Sequence, residues 1–333
     1  MSQGRMPDAE GVRAAARAIA QILPPTPLLP LEIGGVRAWA KAESLQPIGA
    51  FKIRGAWWRL STLSPEERAA GVVAVSSGNH AQGVAWAARR LGIAATIVMP
   101  HDAPAVKLAG TRALGAEVVL YRRGTEDRDQ VAARLIGEKG GTLVHAFADP
   151  WVIEGQGSAA IEIAAQLGRA PARIITCCGG GGLAAGLALG APQAAIHIVE
   201  PQGWDMVGQA LRAGRIVYAG PDAPKTICDA LQPPATYPIN LAVLAGRAEP
   251  GVTVSDDEVR AAQAFAFARL RLVLEPGGAA ALAAVLAGKV PVDEHSVIML
   301  TGGNADPAAF AATIAAASQP EAHGAVESVT LPT

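Results

Sequence analysis

VVAVSSGNHAQGVAWAARRLGIAATIVM, residues 72–99, reads in turn as a strand, a small polar loop, a helix and a second strand. Residues 72–76 are a short apolar run. Residues 80–91 carry apolar side chains at helical spacing, and residues 95–99 are apolar again. Strand, helix, strand is a βαβ unit, whose two strands lie parallel. Working outward, the rhythm continues with a helix at 105–114, a strand at 117–121, a helix at 127–138 and a strand at 142–146. It resumes with a helix at 153–167, a strand at 173–178, a helix at 183–189 and a strand at 195–200. Residues 252–255 (strand), 256–270 (helix) and 297–300 (strand) complete it. The pattern predicts an α/β protein with parallel sheets flanked by helices.

Composition agrees. The chain has 333 residues, half of them hydrophobic, with only 17% charged and 4% aromatic. That length suggests about two domains. The excess of Ala, Val, Leu and Ile suits strands buried on both faces. The net charge of −1 comes without any basic block, which points away from nucleic acid. No apolar run is long enough for a membrane helix, and the first residues lack a leader pattern, so a cytoplasmic location is expected. Three cysteines, two of them adjacent (Cys177 and Cys178), form neither a disulfide framework nor a zinc spacing.

In open parallel sheets, ligands bind at the carboxyl ends of strands. Three strands here end in small, polar or glycine-rich loops. They are Ser76-Ser77-Gly78-Asn79-His80, Cys177-Cys178-Gly179-Gly180-Gly181-Gly182 and Thr301-Gly302-Gly303-Asn304. Three such loops suggest one cleft lined from several sides. In the second, backbone N–H groups and the start of the following helix suit a phosphate. A dinucleotide reading also exists, since Gly180, Gly182 and Gly186 echo a Rossmann fingerprint and Glu200 ends the next strand. The last glycine is one position off, and the rest of the chain favours another cofactor.

That cofactor enters through Lys52. It lies in Leu45-Gln46-Pro47-Ile48-Gly49-Ala50-Phe51-Lys52-Ile53-Arg54-Gly55-Ala56, among apolar and small residues. A desolvated lysine loses its proton more easily and suits Schiff-base chemistry, whereas a snorkelling surface lysine is the commoner fate of that residue type. The Lys52 segment is followed by Ser76-Ser77-Gly78-Asn79-His80-Ala81-Gln82-Gly83, then the glycine loop. Glu275-Pro276-Gly277-Gly278-Ala279 and Thr301-Gly302-Gly303-Asn304 come last. In that order the five motifs closely resemble the threonine/serine dehydratase (ammonia-lyase) and serine racemase family, which uses pyridoxal 5'-phosphate (PLP). The resemblance runs from about Pro27 to Asp306.

The resemblance implies PLP fold type II, the tryptophan-synthase-β-like fold. Two open parallel-rich sheets flanked by helices would hold the cofactor in the cleft between them. Residues 1–48 and 149–317 would form the large PLP-binding domain and 49–148 the small domain, with 318–333 a loose tail. Lys52 would hold PLP as a Schiff base and later shuttle the α-proton. Phe51 would pack on the pyridine ring and Asn79 would bond its 3-oxygen. Gly179, Gly180, Gly181, Gly182 and Leu183 would cradle the phosphate. Thr301 would meet the pyridine nitrogen, and Glu275 would stand beside the cofactor. Ser76, Ser77, Asn79 and His80 would grip the substrate carboxylate. The implied activity is β-elimination from a β-hydroxy amino acid such as L-threonine or L-serine, giving a 2-oxo acid and ammonia.

Ser77 opens an alternative. A serine there resembles the racemase pattern, where it is a second acid/base, although dehydratases for 3-hydroxyaspartate also carry it. Phenylserine is a further candidate substrate. The family often binds a cation beside the phosphate loop; Glu200 and the carbonyl of Trp204 match its ligands, but Met206 stands in the third place, where a hard cation needs oxygen. A monovalent or divalent cation therefore stays open. Two departures stand out: Ala50 replaces a hydroxyl residue, and Thr301 replaces a serine. By analogy the enzyme would be a homodimer acting on a small molecule.

Overall fold

A computed structural model describes residues 4–103 and 105–317. The expected loose tail at 318–333 lies outside the described residues. The strands are β1 (Leu28–Ile33), β2 (Val36–Ala42), β3 (Val72–Val75), β4 (Ala95–Pro100) and β5 (Glu117–Tyr121). They continue with β6 (Thr142–Leu143), β7 (Arg173–Cys177), β8 (Ala195–Pro201), β9 (Ala248–Val254) and β10 (Ser296–Leu300). Six of them form a sheet in the order β1-β2-β10-β7-β8-β9, and four form a second in the order β5-β4-β3-β6. Every neighbouring pair is parallel except β1 with β2.

The larger sheet is covered on both faces, and its sequence shows why. Along β10, Val297 and Met299 join one apolar cluster, while Ile298 and Leu300 join the other. In β7, Ile174 and Ile175 divide the same way. Successive side chains of a strand point to opposite faces. A strand apolar at every position must therefore be covered twice, and β10 is buried throughout.

Some boundaries depart from the sequence reading. The β1–β2 hairpin was not anticipated; its turn uses Gly34 and Gly35, at φ 56° and 76°. Strand β6 is only two residues, paired with β3 at the sheet edge through Thr142 and Leu143. The helix expected at 256–270 is Asp256–Phe265 followed by a π-helical turn, Ala266–Leu270, which ends at Arg271 with φ 58°. Among the described residues no helix is long and apolar enough to cross a membrane.

Each sheet has a point where its strand order reverses. In the smaller sheet it lies between β3 and β6, and in the larger between β7 and β10. Such points open a crevice at the strand ends. Three helices fix those ends relative to one another: Lys52–Ser61, Pro150–Leu167 and Gly182–Gly190. They touch through bare backbone. A Cβ on Gly155 would stand 2.6 Å from the Cα of Gly55, and one on Gly157 would strike the carbonyl of Gly186. The helix that begins at Lys52 and the helix behind the glycine loop are thus pressed onto one common helix.

Candidate active site

A cavity of about 530 Å³ lies where the two crevices meet. It is lined from the ends of β3, β6, β7 and β10 and from the start of the Lys52–Ser61 helix. Phe51, Lys52, Ser76, Ser77, Asn79, His80, Gly179, Gly180, Gly181, Gly182, Leu183, Glu275 and Thr301 all line it. Every residue singled out above for catalysis, cofactor or substrate is therefore in one place.

Lys52 is registered to β10 by backbone. Phe51 N–H donates to the Thr301 carbonyl (3.0 Å), Gly303 N–H donates to that of Gly49 (2.8 Å), and Ala50 bridges Gly302. The Lys52 amine donates to the carbonyl of Ala146 at 2.8 Å and lies 5.2 Å from the Phe51 ring centroid. Burial pulls its pKa down to about 8, against a smaller upward pull from Cys177 and Glu275. A useful fraction of the amine is thus neutral and nucleophilic near neutral pH.

Two histidines sit close by, and both are neutral. Burial pushes His80 down to about 3 and His145 to about 4, with the Lys52 charge lowering both further. His80 Nε2 is 2.9 Å from the Val144 carbonyl, so Nε2 carries the proton. Its Nδ1 is buried without a protein partner. His145 Nδ1 accepts the N–H of Phe147 (3.3 Å) and of Ala148 (2.9 Å). In the β3 loop, Gly78 N–H donates to the Ser76 hydroxyl at 3.2 Å. A carboxylate there would meet the open backbone donors at the start of the Asn79–Leu91 helix.

The glycine loop fits a phosphate by exclusion. A Cβ on Gly180 would strike the Phe147 ring, and one on Gly182 would lie 2.9 Å from the Phe147 Cα and carbonyl. Gly181 sits at φ 93°, in the left-handed region. The Gly180 carbonyl accepts from Thr236 Oγ1 (2.9 Å) and Asn240 Nδ2 (2.6 Å), which holds the loop in shape. The Gly182–Gly190 helix then presents its first N–H groups. With an enclosed lysine that has no salt bridge among the described residues, this cradle fits a phosphate-bearing aldehyde such as PLP.

Opposite stands a polar chain. Asn79 Nδ2 donates to Glu275 Oε1 (2.6 Å), and Asn304 Nδ2 donates to Asn79 Oδ1 (2.8 Å) and to the Ile48 carbonyl (2.9 Å). One N–H of Asn79 is left for a ligand. Burial raises Glu275 to about 7, and its bond from Asn79 only partly offsets that. Thr301 Oγ1 lies 3.1 Å from Cys177 Sγ.

Glu200, weighed above as a cation ligand, is engaged with backbone here. It is fully buried, and its two oxygens accept the N–H groups of Val207 (2.9 Å) and Gly208 (2.8 Å) at the start of the Met206–Ala213 helix. Burial raises it to about 8. Trp204 donates its indole N–H to the Pro224 carbonyl (2.7 Å). Neither residue lines the cavity, and among the described residues no cluster of three or more His, Cys, Asp or Glu could hold a metal.

Sequence reasoning missed Cys177, Asn304, His145, Phe147, Tyr237 and Arg128 as participants. The three rings among them pack edge-to-face, with His145 and Phe147 centroids 4.7 Å apart and His145 and Tyr237 4.8 Å apart. A signal existed for His145 and Phe147: they stand at the end of the strand expected at 142–146, and the ends of parallel strands are where ligand groups gather.

Comparison with known proteins gives a consistent picture. Residues 19–302 match the family described as pyridoxal-phosphate dependent enzyme. The chain is 40% identical over 285 residues to an L-threo-3-hydroxyaspartate ammonia-lyase of Saccharomyces cerevisiae, covering 84% of this chain and 86% of that one. It is 36% identical over 310 residues to a serine racemase of Schizosaccharomyces pombe, covering 90% and 95%. The crystal structure of a threonine deaminase from T.th. superposes with a TM-score of 0.82 at 40% identity, covering 90% of this chain and 99% of that one.

Proposed function

The chain belongs to the pyridoxal-phosphate-dependent enzymes, and from that premise we propose that it removes water and then ammonia from a β-hydroxy amino acid, giving a 2-oxo acid. The observation that carries the reading is the pairing, in one cavity, of a Lys52 amine near neutrality with the Thr301 hydroxyl. PLP supplies an electron sink for the bonds of the α-carbon. The Thr301 hydroxyl, placed among the groups that would hold the ring, would leave that sink weaker than a carboxylate there would, which suits elimination of a β-group.

The chain's own residues do the rest. Lys52 would hold the cofactor, and its amine would take the α-proton. Gly179 to Gly182 and Leu183 would bind the phosphate, the spare N–H of Asn79 would be free for the ring oxygen, and Phe51 would pack on the ring. The β3 loop with its helix start orients the substrate carboxylate, and the neutral His80 adds no charge beside Lys52. The cavity also carries Lys107 and Arg128. Lys107 is engaged by Asp229 at 2.8 Å, whereas Arg128 stands 3.9 Å from Asp129. Arg128 favours a substrate with an acidic side chain, 3-hydroxyaspartate before threonine or serine.

A second reading rests on Ser77, which lines the same cavity and could return a proton to the α-carbon. The test offers L-threonine, L-serine, 3-hydroxyaspartate and phenylserine to the holoenzyme, and follows 2-oxo acid and D-amino acid together. Oxo acid should dominate, fastest from 3-hydroxyaspartate, and Arg128→Ala should remove that preference. D-amino acid with little oxo acid would overturn the elimination reading and make Ser77 the second acid/base.

A further inference from the structure

We infer that Cys177 is a positioning residue: it sets which way the Thr301 hydroxyl aims its proton, and thereby keeps the nitrogen of the cofactor ring unprotonated. The inference rests on the reading that places Thr301 at that nitrogen. Cys177 ends β7, Thr301 follows β10, and the two strands are parallel neighbours, so their ends meet. The Sγ–Oγ1 separation is 3.1 Å, both residues are buried, and both line the cavity.

The two ways of sharing a proton here are unequal. In one, Cys177 donates S–H to Thr301 Oγ1, and the Thr301 O–H turns toward the cavity. In the other, Thr301 donates to sulfur and offers only lone pairs to the cavity. Sulfur is weak both as donor and as acceptor, but burial pushes Cys177 up to about 11 against the bond to Thr301 that lowers it, so the thiol keeps its proton and can give it to the better acceptor, the Thr301 oxygen. The first arrangement is favoured. It presents a donor to the ring nitrogen and suits a nitrogen that carries no proton. A protonated nitrogen would need the second arrangement, which rests on the weak sulfur acceptor. The surrounding charges do not reverse this, since Glu275 raises the thiol further while Lys52 only lowers it in part. Serine at 177 would remove the bias, because a hydroxyl accepts as well as it donates.

The experiment reconstitutes apo-protein with PLP isotopically labelled at the ring nitrogen and reads that nitrogen by NMR, in the wild type, Cys177→Ser and Cys177→Ala. The wild-type nitrogen should resonate as unprotonated. Cys177→Ser should move it toward the protonated position, and Cys177→Ala should lie between. With L-serine in heavy water, Cys177→Ser should also raise α-proton exchange per oxo acid released by several-fold. In a Thr301→Val background, Cys177→Ser should have no effect on either reading. An unmoved signal across the three proteins, or a protonated nitrogen in the wild type, overturns the inference. The nitrogen signal needs no particular substrate. A chain that binds PLP but eliminates from no β-hydroxy amino acid would sink the proposed function, and the signal would still decide the role of Cys177.

Discussion

Lys41 and Lys52 are both enclosed by this protein, and their surroundings differ. Lys41 is fully buried, and its amine donates to the Thr26 carbonyl and to Gln166 Oε1, each at 2.8 Å, and to Glu162. Arg54 completes that group, donating to both oxygens of Glu43 at 2.7 Å and to Glu162 at 2.8 Å. Two acids and two bases balance. Lys52 has one carbonyl. Burial lowers the pKa of both lysines; at Lys41 the carboxylates of Glu162 and Glu43 pull back at close range, while at Lys52 the opposing charges act only from further off. The same residue type serves structure in one place and chemistry in the other, and the neighbours decide which.

The contrast breaks most sharply at Lys52. Lys52→Ala should lower oxo-acid release by at least about a thousandfold, while leaving the melting temperature unchanged or higher, since the amine is held against a burial penalty. A large drop in melting temperature, or substantial turnover, would erase the distinction. The opposite behaviour is expected at the ion cluster. Arg54→Met leaves Glu43 buried and unpaired, and should cost about 3–5 kcal/mol in urea unfolding. Adding Glu43→Gln should return part of that loss, because the uncompensated charge goes with it.

A smaller and pH-dependent effect should emerge at Glu275. Its folded pKa is raised to about 7 from the ordinary 4.5, so the folded protein binds the proton more tightly than the unfolded chain. The stability this gives is fully present below about pH 4.5 and is lost as pH rises through about 7. The expected size is on the order of 3 kcal/mol. Unfolding of cofactor-free protein between these pH values should show that decline on top of the one from Glu200, whose pKa burial raises to about 8, and Glu275→Gln should make the slope shallower by the Glu275 share. An equal slope in the variant would assign the decline to other groups.

Much of this was legible in the sequence because parallel strands buried on both faces leave continuous apolar runs, and because their ends must carry the ligand groups. The Lys52 segment, the β3 loop, the glycine loop, Glu275 and Thr301 were found that way and by family resemblance. Cys177 was seen as one of two adjacent cysteines without a disulfide or metal pattern. Its use depends on β10 lying beside β7, a pairing of residues 124 apart that no local pattern encodes. The β1–β2 hairpin was missed because its side chains alternate only loosely between buried and exposed. At Glu200 the sequence leaves the use open, because a strand-end acid looks the same whether it holds a cation or two amides.

The backbone bonds that tie Phe51 to Thr301 and Gly49 to Gly303 have a consequence for how the protein is made. Translation delivers Lys52 early, yet its loop is buttressed by residues 301–303, far along the chain, and β10 must slide between β2 and β7 in the middle of a sheet. Closures over such distances form late. A nascent chain on the ribosome therefore lacks a finished pocket until residues 296–304 have emerged, and it acquires an appetite for a reactive aldehyde only when it is ready to contain one.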